Sequence, residues 1–195
     1  MADEIAVSGV TLLFSYGILK HRENKKDDKR SNAMIRVGII TASDKGYRGE
    51  REDLSGARIA EIMEQHGYEI AKKVILPDDQ QMLSAEMIAM SEENIQLVLT
   101  TGGTGFSKRD VTPEATKAVI EREVPGIPMA ILQYSLTITE RAMLSRAAAG
   151  IRGETLIVNL PGSPKAVDEA LNYVLPSLKH GLDILLGNDA ECARK

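Results

Sequence analysis

A glycine-rich loop, Gly102-Gly103-Thr104-Gly105, lies between a short apolar run and the start of a helix. Residues 95–99 have the composition of a buried strand, and Thr112 followed by Pro113 predicts an N-cap and a first helical residue. Strand, glycine loop and helix in this order form the βα unit of an α/β fold. Three glycines in four residues let the main chain approach an anion beside a helix N-terminus, so the loop predicts a phosphate site.

Strand and helix patterns alternate along the rest of the chain. We predict strands over residues 35–41, 68–76 and 155–160, and helices that start at Asp53, Asp79, Pro113, Ile127 and Pro164. The helix from Pro113 is expected to end near residue 124, residues 142–153 to form a loop with some helix, and Pro176 to interrupt the last helix or start another. This alternation indicates an α/β domain with a largely parallel sheet covered on both faces.

The composition excludes several classes of protein. A chain of 195 residues that is 43% hydrophobic fits one domain, while 4% aromatic residues, no Trp and a net charge of −4 argue against a nucleic-acid partner. The single cysteine, Cys192, allows neither a disulfide framework nor a cysteine-based zinc site, and favours a reducing, cytoplasmic setting. Residues 5–19 are apolar but shorter than the roughly 20 residues of a membrane span, so no membrane partner is expected.

The first 33 residues differ in character from the rest of the chain. Ser31-Asn32-Ala33 directly before Met34 resembles the remnant of a cloning vector. We therefore expect residues 1–33 to be a vector-derived extension, residues 34–187 to be the domain and residues 188–195 to be a tail. The alternative is a genuine extension that forms an extra helix or contacts a partner.

Carboxylates follow two of the predicted strands. In open α/β sheets ligands gather where strands end, which directs attention to Asp78 after the second strand and Asp110 after the glycine loop. Two carboxylates facing each other across a phosphate site suit Mg²⁺, and this combination predicts phosphoryl or nucleotidyl transfer. The alternatives are that Asp79, in the same turn, merely caps a helix and that Asp110 pairs with Arg109 or Lys108 at the surface.

Familiar nucleotide and catalytic motifs do not fit the chain. The third glycine of a dinucleotide-binding loop would fall on Lys108, and the ending of a P-loop is missing. His66 and His180 lack metal-ligand spacing and are expected to be structural, and Ser145 has no adjacent partner that would make it a nucleophile.

The segment over residues 99–116, LTTGGTGFSKRDVTPEAT, closely resembles the signature of the molybdopterin-binding family, which includes MogA, MoaB and the gephyrin G domain. Residues 41–44, 76–79, 142–146, 150–153 and 159–164 resemble further segments of that family, in the same order. The resemblance covers nearly all of residues 34–187.

The resemblance implies a three-layer α/β/α sandwich whose mostly parallel sheet has one antiparallel strand, and a trimer or hexamer. It also implies an activity, the Mg²⁺-dependent transfer of AMP from ATP to molybdopterin with release of pyrophosphate. Molybdenum-insertion proteins of the same pathway would be its partners. The alternatives are a non-catalytic, MoaB-like pterin-binding or scaffolding protein and, with a weaker match, a domain of the competence-damage type.

The resemblance also assigns roles to individual residues. Asp78 and Asp110 fall on the family's catalytic aspartates, which would also hold the metal. The expected substrate-binding residues line the same mouth: Ser43, Asp44, Gly102, Gly103, Thr104, Gly105, Ser145, Arg146, Arg152, Pro161 and Gly162. Arg146, Arg152 and Lys108 are the expected phosphate-binding cations, with a surface or intersubunit salt bridge as the alternative for Arg152.

Overall fold

The computed structural model describes residues 34–188. The predicted extension over residues 1–33 and nearly all of the predicted tail, including Cys192, lie outside the described residues. The boundary at Met34 therefore stays a prediction.

Strands and helices alternate as predicted over most of the described chain. In order they are β1 (Arg36–Ala42), α1 (Asp44–Tyr47), α2 (Leu54–Gln65), β2 (Glu69–Leu76), α3 (Gln80–Glu92), β3 (Leu97–Thr101), α4 (Thr112–Val119), β4 (Arg122–Glu123), α5 (Gly126–Leu136), a 3₁₀ helix (Glu140–Leu144), β5 (Ala149–Arg152), β6 (Thr155–Leu160) and α6 (Pro164–Leu185). Asp53, Asp79 and Ser163 cap α2, α3 and α6 through their side-chain oxygens, which confirms these predicted helix starts.

The sheet has the strand order β2-β1-β3-β6-β5-β4 within residues 34–188. The first four strands pair in parallel, with Thr41 of β1 beside Thr101 of β3 and Thr101 beside Leu160 of β6. Both pairings of β5 are antiparallel, so β5 is the strand of this sheet that runs against the others. The predicted fold class, a mostly parallel sheet with one antiparallel strand, is confirmed.

Helices cover both faces of the sheet, because alternate side chains of each strand enter opposite halves of the core. On one face Ile39 and Leu99 pack with residues of α2, α5 and α6, among them Ile59 and Leu171. On the other face Ile40, Val98 and Ile157 pack with α3 and α4, through residues that include Leu83, Met87 and Ala115. The methionines of α3 are therefore part of the core at Met87 and Met90.

Four local predictions were wrong. The helix after Pro113 ends at Val119, and β4 and β5 occupy segments that were predicted as helix and loop. Val111 is the N-cap of α4, and the hydroxyl of Thr112 donates to the carbonyl oxygen of Gly102 instead of capping the helix. Pro176 lies inside α6 without interrupting it. Among the helices of the described residues, none combines the length and the apolar character that a membrane span requires.

Candidate active site

The carboxyl ends of β1, β2, β3 and β6 meet at one edge of the sheet, because these strands are parallel. The chain leaves β1 toward β2 on one side and returns to β3 on the other side, so the strand order switches between β1 and β3. Ligands of open α/β sheets bind in the crevice at such a switch point. The loops after Ala42 and Thr101 form that crevice.

The glycine loop passes very close to the end of β1. Gly102 and Gly103 have φ angles of 89° and 64°, in the left-handed region that glycine tolerates. A Cβ atom added to Gly102 would lie 2.3 Å from the carbonyl oxygen of Ala42. Thr101 and Thr112 fix the loop from both ends, since their hydroxyls donate to the carbonyl oxygens of Pro161 and Gly102 at 2.6 and 2.9 Å.

Asp78 and Asp44 hold the ends of two neighbouring strands together. The N–H of Asp44 donates to Asp78 Oδ2 at 3.0 Å, and the N–H of Asp78 donates to Asp44 Oδ1 at 3.2 Å. Burial, aided by the negative charges of Asp44 and Asp110, raises the pKa of the Asp78 carboxyl above its ordinary value. Hydrogen bonds from the Arg109 guanidinium instead lower the pKa of Asp44. The carboxyls of Asp78 and Asp44 thus have pKa shifts of opposite direction, because only Asp44 is paired with an arginine.

Asp110 lies at the far end of the same crevice. Its carboxylate accepts a hydrogen bond from the N–H of Ser107 at 3.0 Å, and a Cβ atom added to Gly105 would lie 2.9 Å from Asp110 Oδ2. Asp78 Oδ1 would lie 3.1 Å from a Cβ atom added to Gly103. The two predicted carboxylates therefore flank the glycine loop and line one cavity.

That cavity, here called the aspartate cleft, has a volume of about 640 Å³. Six of the predicted site residues line it: Ser43, Asp78, Gly102, Gly103, Asp110 and Gly162. Among the lining residues that the sequence did not predict for the site are Arg51, Asp53 and Ser55. Arg51 and Asp53 lie in the connection from β1 to α2 and Ser55 in the first turn of α2, so extending the predicted edge loop from Ser43 and Asp44 to the start of α2 could have found them.

Asp53 and Ser55 have identifiable contacts at the aspartate cleft. The Asp53 side chain is only 6% exposed, accepts from the hydroxyl of Thr41 at 3.0 Å and lies 3.6 Å from Lys73 Nζ. The hydroxyl of Ser55 donates to the carbonyl oxygen of Gly162 at 2.9 Å. These contacts tie the start of α2 to β1 and to the turn after β6.

A second cavity of about 300 Å³ lies on the other side of the glycine loop. The predicted residues Thr104, Gly105, Ser145, Pro161 and Gly162 line it together with apolar side chains of α5 and the following segment, including Ile131, Leu132 and Ile138. We call it the apolar cavity. Gly162 lines both cavities, so they adjoin at the turn after β6.

None of the three predicted cations, Lys108, Arg146 and Arg152, lines the aspartate cleft. The register of β5 places Arg152 opposite Thr155, at the start of β6 and thus at the edge of the sheet remote from the aspartate cleft, and its guanidinium donates to the carbonyl oxygen of Val119. The structure therefore places Arg152 away from the other predicted site residues, and its substrate role stays a prediction. Arg146 contacts the glycine loop, but through main-chain carbonyl groups. Arg109 pairs with Asp44 and not with Asp110.

The donor set of the aspartate cleft fits magnesium bound jointly with substrate. Among residues 34–188, no group of three or more His, Cys, Asp or Glu side chains could hold a metal ion by itself. Magnesium, however, is usually bound by one or two carboxylates together with substrate phosphates and water. Asp78, whose ionised form is disfavoured by burial and by Asp110, is suited to gain from such a cation.

Comparisons with known proteins agree with this arrangement. A molybdopterin adenylyltransferase of Helicobacter pylori strain J99 is 40% identical over 162 residues, which cover 79% of this chain and 89% of that protein. Gephyrin of Dictyostelium discoideum is 40% identical over 172 residues, or 83% of this chain and 24% of gephyrin. The crystal structure of the molybdopterin biosynthesis enzyme MoaB from Thermus thermophilus has a TM-score of 0.75 and 46% identity, and covers 79% of this chain and 98% of that chain.

The fold and the site define an α/β/α domain with a cavity at the switch point of its sheet. The sequence profile of the family described as "Probable molybdopterin binding domain" matches residues 38–180. The chain belongs to this family, and the family predicted from the motifs is confirmed.

Proposed function

We propose that this chain transfers AMP from ATP to molybdopterin in a Mg²⁺-dependent reaction. The observation that carries the proposal is the aspartate cleft, where Asp78 and Asp110 flank the glycine loop at the switch point. The 40% identity to a molybdopterin adenylyltransferase, over most of both chains, supports the same reaction. The chain thus acts in molybdenum cofactor biosynthesis.

In this reaction the terminal phosphate oxygen of molybdopterin attacks the α-phosphorus of ATP. The new P–O bond joins molybdopterin to AMP, and the bond from the α-phosphorus to the bridging oxygen of pyrophosphate breaks. Two anions have to meet, so catalysis depends on positioning and on stabilisation of negative charge. The glycines allow phosphate to approach the main chain, and Arg51 places a cation at the aspartate cleft.

Two adjoining cavities suit two substrates. The aspartate cleft, with its carboxylates and open glycine backbone, would hold the phosphate groups that react. The apolar cavity, with Ser145 and Thr104 among its polar residues, would hold a ring system beside them. Magnesium bound by Asp78 and Asp110 would neutralise phosphate charge, and the two carboxylates would orient the magnesium ion.

The test is turnover by the purified chain with molybdopterin, ATP and Mg²⁺, measured as adenylylated pterin and pyrophosphate. Asp78→Asn and Asp110→Asn keep the side-chain shape but remove the charge, and we expect each to lower kcat at least 100-fold. Asp79→Asn is the matched control in the same turn, because asparagine caps a helix as well as aspartate does. We expect it to retain wild-type turnover.

The competing function is pterin binding without catalysis. If folded wild-type protein binds molybdopterin but forms no adenylylated product, the enzymatic proposal is wrong and the binding function is supported.

We further propose a homo-oligomer, either a trimer or a hexamer, which works in the cytoplasm with molybdenum-insertion proteins. An exposed apolar surface on α5 and the 3₁₀ helix supports the oligomer, with Met129 64% and Met143 61% exposed. The single cysteine of the chain supports the reducing setting.

A further inference from the structure

The turn that carries Asp110 has little packing of its own. Residues 106–109 are exposed, and the one aromatic side chain among them, Phe106, is 70% exposed. Within the turn, the N–H of Asp110 donates to the carbonyl oxygen of Ser107, and the N–H of Ser107 donates to Asp110 Oδ2, both at 3.0 Å. These bonds shape the turn but do not attach it to the rest of the domain.

Side chains attach the turn at two places: Arg109 pairs with Asp44 near its tip, and Arg146 binds its two ends. Its Nε donates to the carbonyl oxygen of Gly105 at 2.7 Å, and one Nη atom donates to the carbonyl oxygen of Asp110 at 2.6 Å. Its main-chain N–H donates to the carbonyl oxygen of Thr104 at 2.9 Å. One residue therefore binds both ends of the turn, at Thr104 and Gly105 on one side and at Asp110 on the other.

Glu114 holds the remaining side of the guanidinium. Its Oε1 accepts from the other Nη atom of Arg146, while its Oε2 is buried and has no hydrogen-bond partner among the described residues. All three guanidinium nitrogens of Arg146 thus donate to protein oxygens. A lysine has no planar fork and cannot make these bonds together.

We propose that Arg146 is a positioning residue, which with Glu114 clamps the turn over residues 104–110 and so places the Asp110 carboxylate for the reaction. The inference rests on the proposed adenylyl transfer and gives Arg146 a role different from the substrate-binding one that the sequence predicted. The guanidinium acts on the main chain of the turn, and Asp110 is the group that meets substrate and metal.

The test combines two readouts on Arg146→Lys. Amide hydrogen exchange over residues 104–110, followed without substrate, should become at least ten-fold faster than in the wild type. Steady-state kinetics with Mg²⁺ should show kcat lowered at least ten-fold while KM for ATP and for molybdopterin changes less than about two-fold, since a misplaced Asp110 weakens transition-state binding alone.

Arg58→Lys is the matched control, because Arg58 also bridges carboxylates, Glu61 and Asp168, and its side chain is 33% exposed, as is that of Arg146. It lies on α2, so both readouts should keep their wild-type values. Glu114→Gln is the second variant in case Arg146→Lys does not fold; it retains the guanidinium and should shift exchange and kcat in the same direction by a smaller factor.

Each contrary result overturns the proposal. Unchanged exchange in Arg146→Lys would show that the guanidinium does not hold the turn. Faster exchange with unchanged kcat would show that the turn's position does not matter, and a ten-fold rise of KM at constant kcat would show that Arg146 binds substrate directly. If the wild type has no turnover at all, the proposed function fails, while exchange still decides whether the clamp exists.

Discussion

The ionised carboxyl of Asp78 destabilises the native state, and its proposed role in binding a cation explains why the chain keeps it. The Asp78 carboxyl lines the aspartate cleft and is partly buried, and burial, with the charges of Asp44 and Asp110, raises its pKa. Asp44 lies in the neighbouring loop and is hydrogen-bonded to Asp78. Hydrogen bonds from Arg109 lower the pKa of the Asp44 carboxyl. The chain therefore compensates the charge of Asp44 internally and leaves that of Asp78 for a ligand.

The first stability prediction concerns Asp78→Asn, which we expect to melt at a higher temperature than the wild type at pH 7. An acid whose pKa is raised by folding destabilises the native state above that pKa, and this penalty disappears as the pH falls toward the ordinary carboxyl value of 3.8. The gain from Asp78→Asn should therefore shrink on acidification. Thermal unfolding between pH 4 and pH 8 measures it, and equal stability at pH 7 would contradict the argument.

Magnesium provides the complementary measurement. A cation that binds the native state jointly with substrate phosphates raises its stability, so millimolar Mg²⁺ together with ATP should raise the melting temperature of the wild type above the value with ATP alone, and this increment should be small in Asp78→Asn. Asp79→Asn, which keeps the helix cap, should stay within about 0.5 kcal/mol of the wild type and respond to Mg²⁺ as the wild type does.

At the level of single residues, the sequence predicted main-chain positions better than side-chain positions. Asp78, Asp110 and the glycine loop could be predicted because parallel strands bring their carboxyl ends to one edge. The contacts of Arg146 and Arg109 could not, because a long side chain can reach several partners within its radius. The place of Arg152 in the fold could not be predicted for a different reason, since it depends on an antiparallel strand that the sequence pattern did not reveal.

Among the elements, β3, β6 and α4 are joined by one buried polar side chain. Asn159 is fully buried on β6, and its Nδ2 donates to the hydroxyls of Thr100 at 3.0 Å and Thr116 at 2.8 Å. Its Oδ1 accepts from the N–H of Ala148 at 3.0 Å. Thr100 lies two residues before the glycine loop, so this network anchors the end of β3 from which the loop starts.

We expect Asn159→Ala to destabilise the domain by about 2 to 4 kcal/mol, because it opens a cavity and leaves the N–H of Ala148 without its acceptor. Urea unfolding followed by circular dichroism gives the value. Asn172→Ala removes an exposed asparagine from α6 and should cost less than about 0.5 kcal/mol. Equal costs for the two substitutions would show that the buried network contributes nothing.

The elements that the sequence missed are short or set by tertiary pairing. β4 has two residues and β5 has four, too few for a period-2 pattern to be distinguished from a loop. Both exist because β6 offers β5 an antiparallel partner, and β5 in turn pairs with β4. At Pro176 the sequence predicted an interruption that does not occur. Packing of Leu175 and Leu178 against the core keeps α6 continuous across this proline.

At the scale of the whole molecule, α5 is an apolar helix whose side chains the rest of the domain covers only in part. Its sequence, GIPMAILQYSL, is apolar on nearly every side, yet Ile131 is its buried residue while Met129 and Leu136 are exposed. Ile138, Met143 and Leu144, farther along the chain, are exposed as well. A large exposed apolar surface of this kind is typical of a contact with another protein, and here a second copy of the chain would also cover the rim of the apolar cavity.

We therefore expect Met129→Glu to shift the chain from an oligomer to a monomer, since a buried glutamate without a partner opposes association. Sedimentation velocity at micromolar concentration measures the mass, and the dissociation constant should rise at least ten-fold. Met82→Glu, an exposed methionine at the start of α3, is the matched control and should leave the mass unchanged. Because α5 lines the apolar cavity, the monomer should also bind molybdopterin more weakly. An undisturbed oligomer in Met129→Glu would place the interface on another surface.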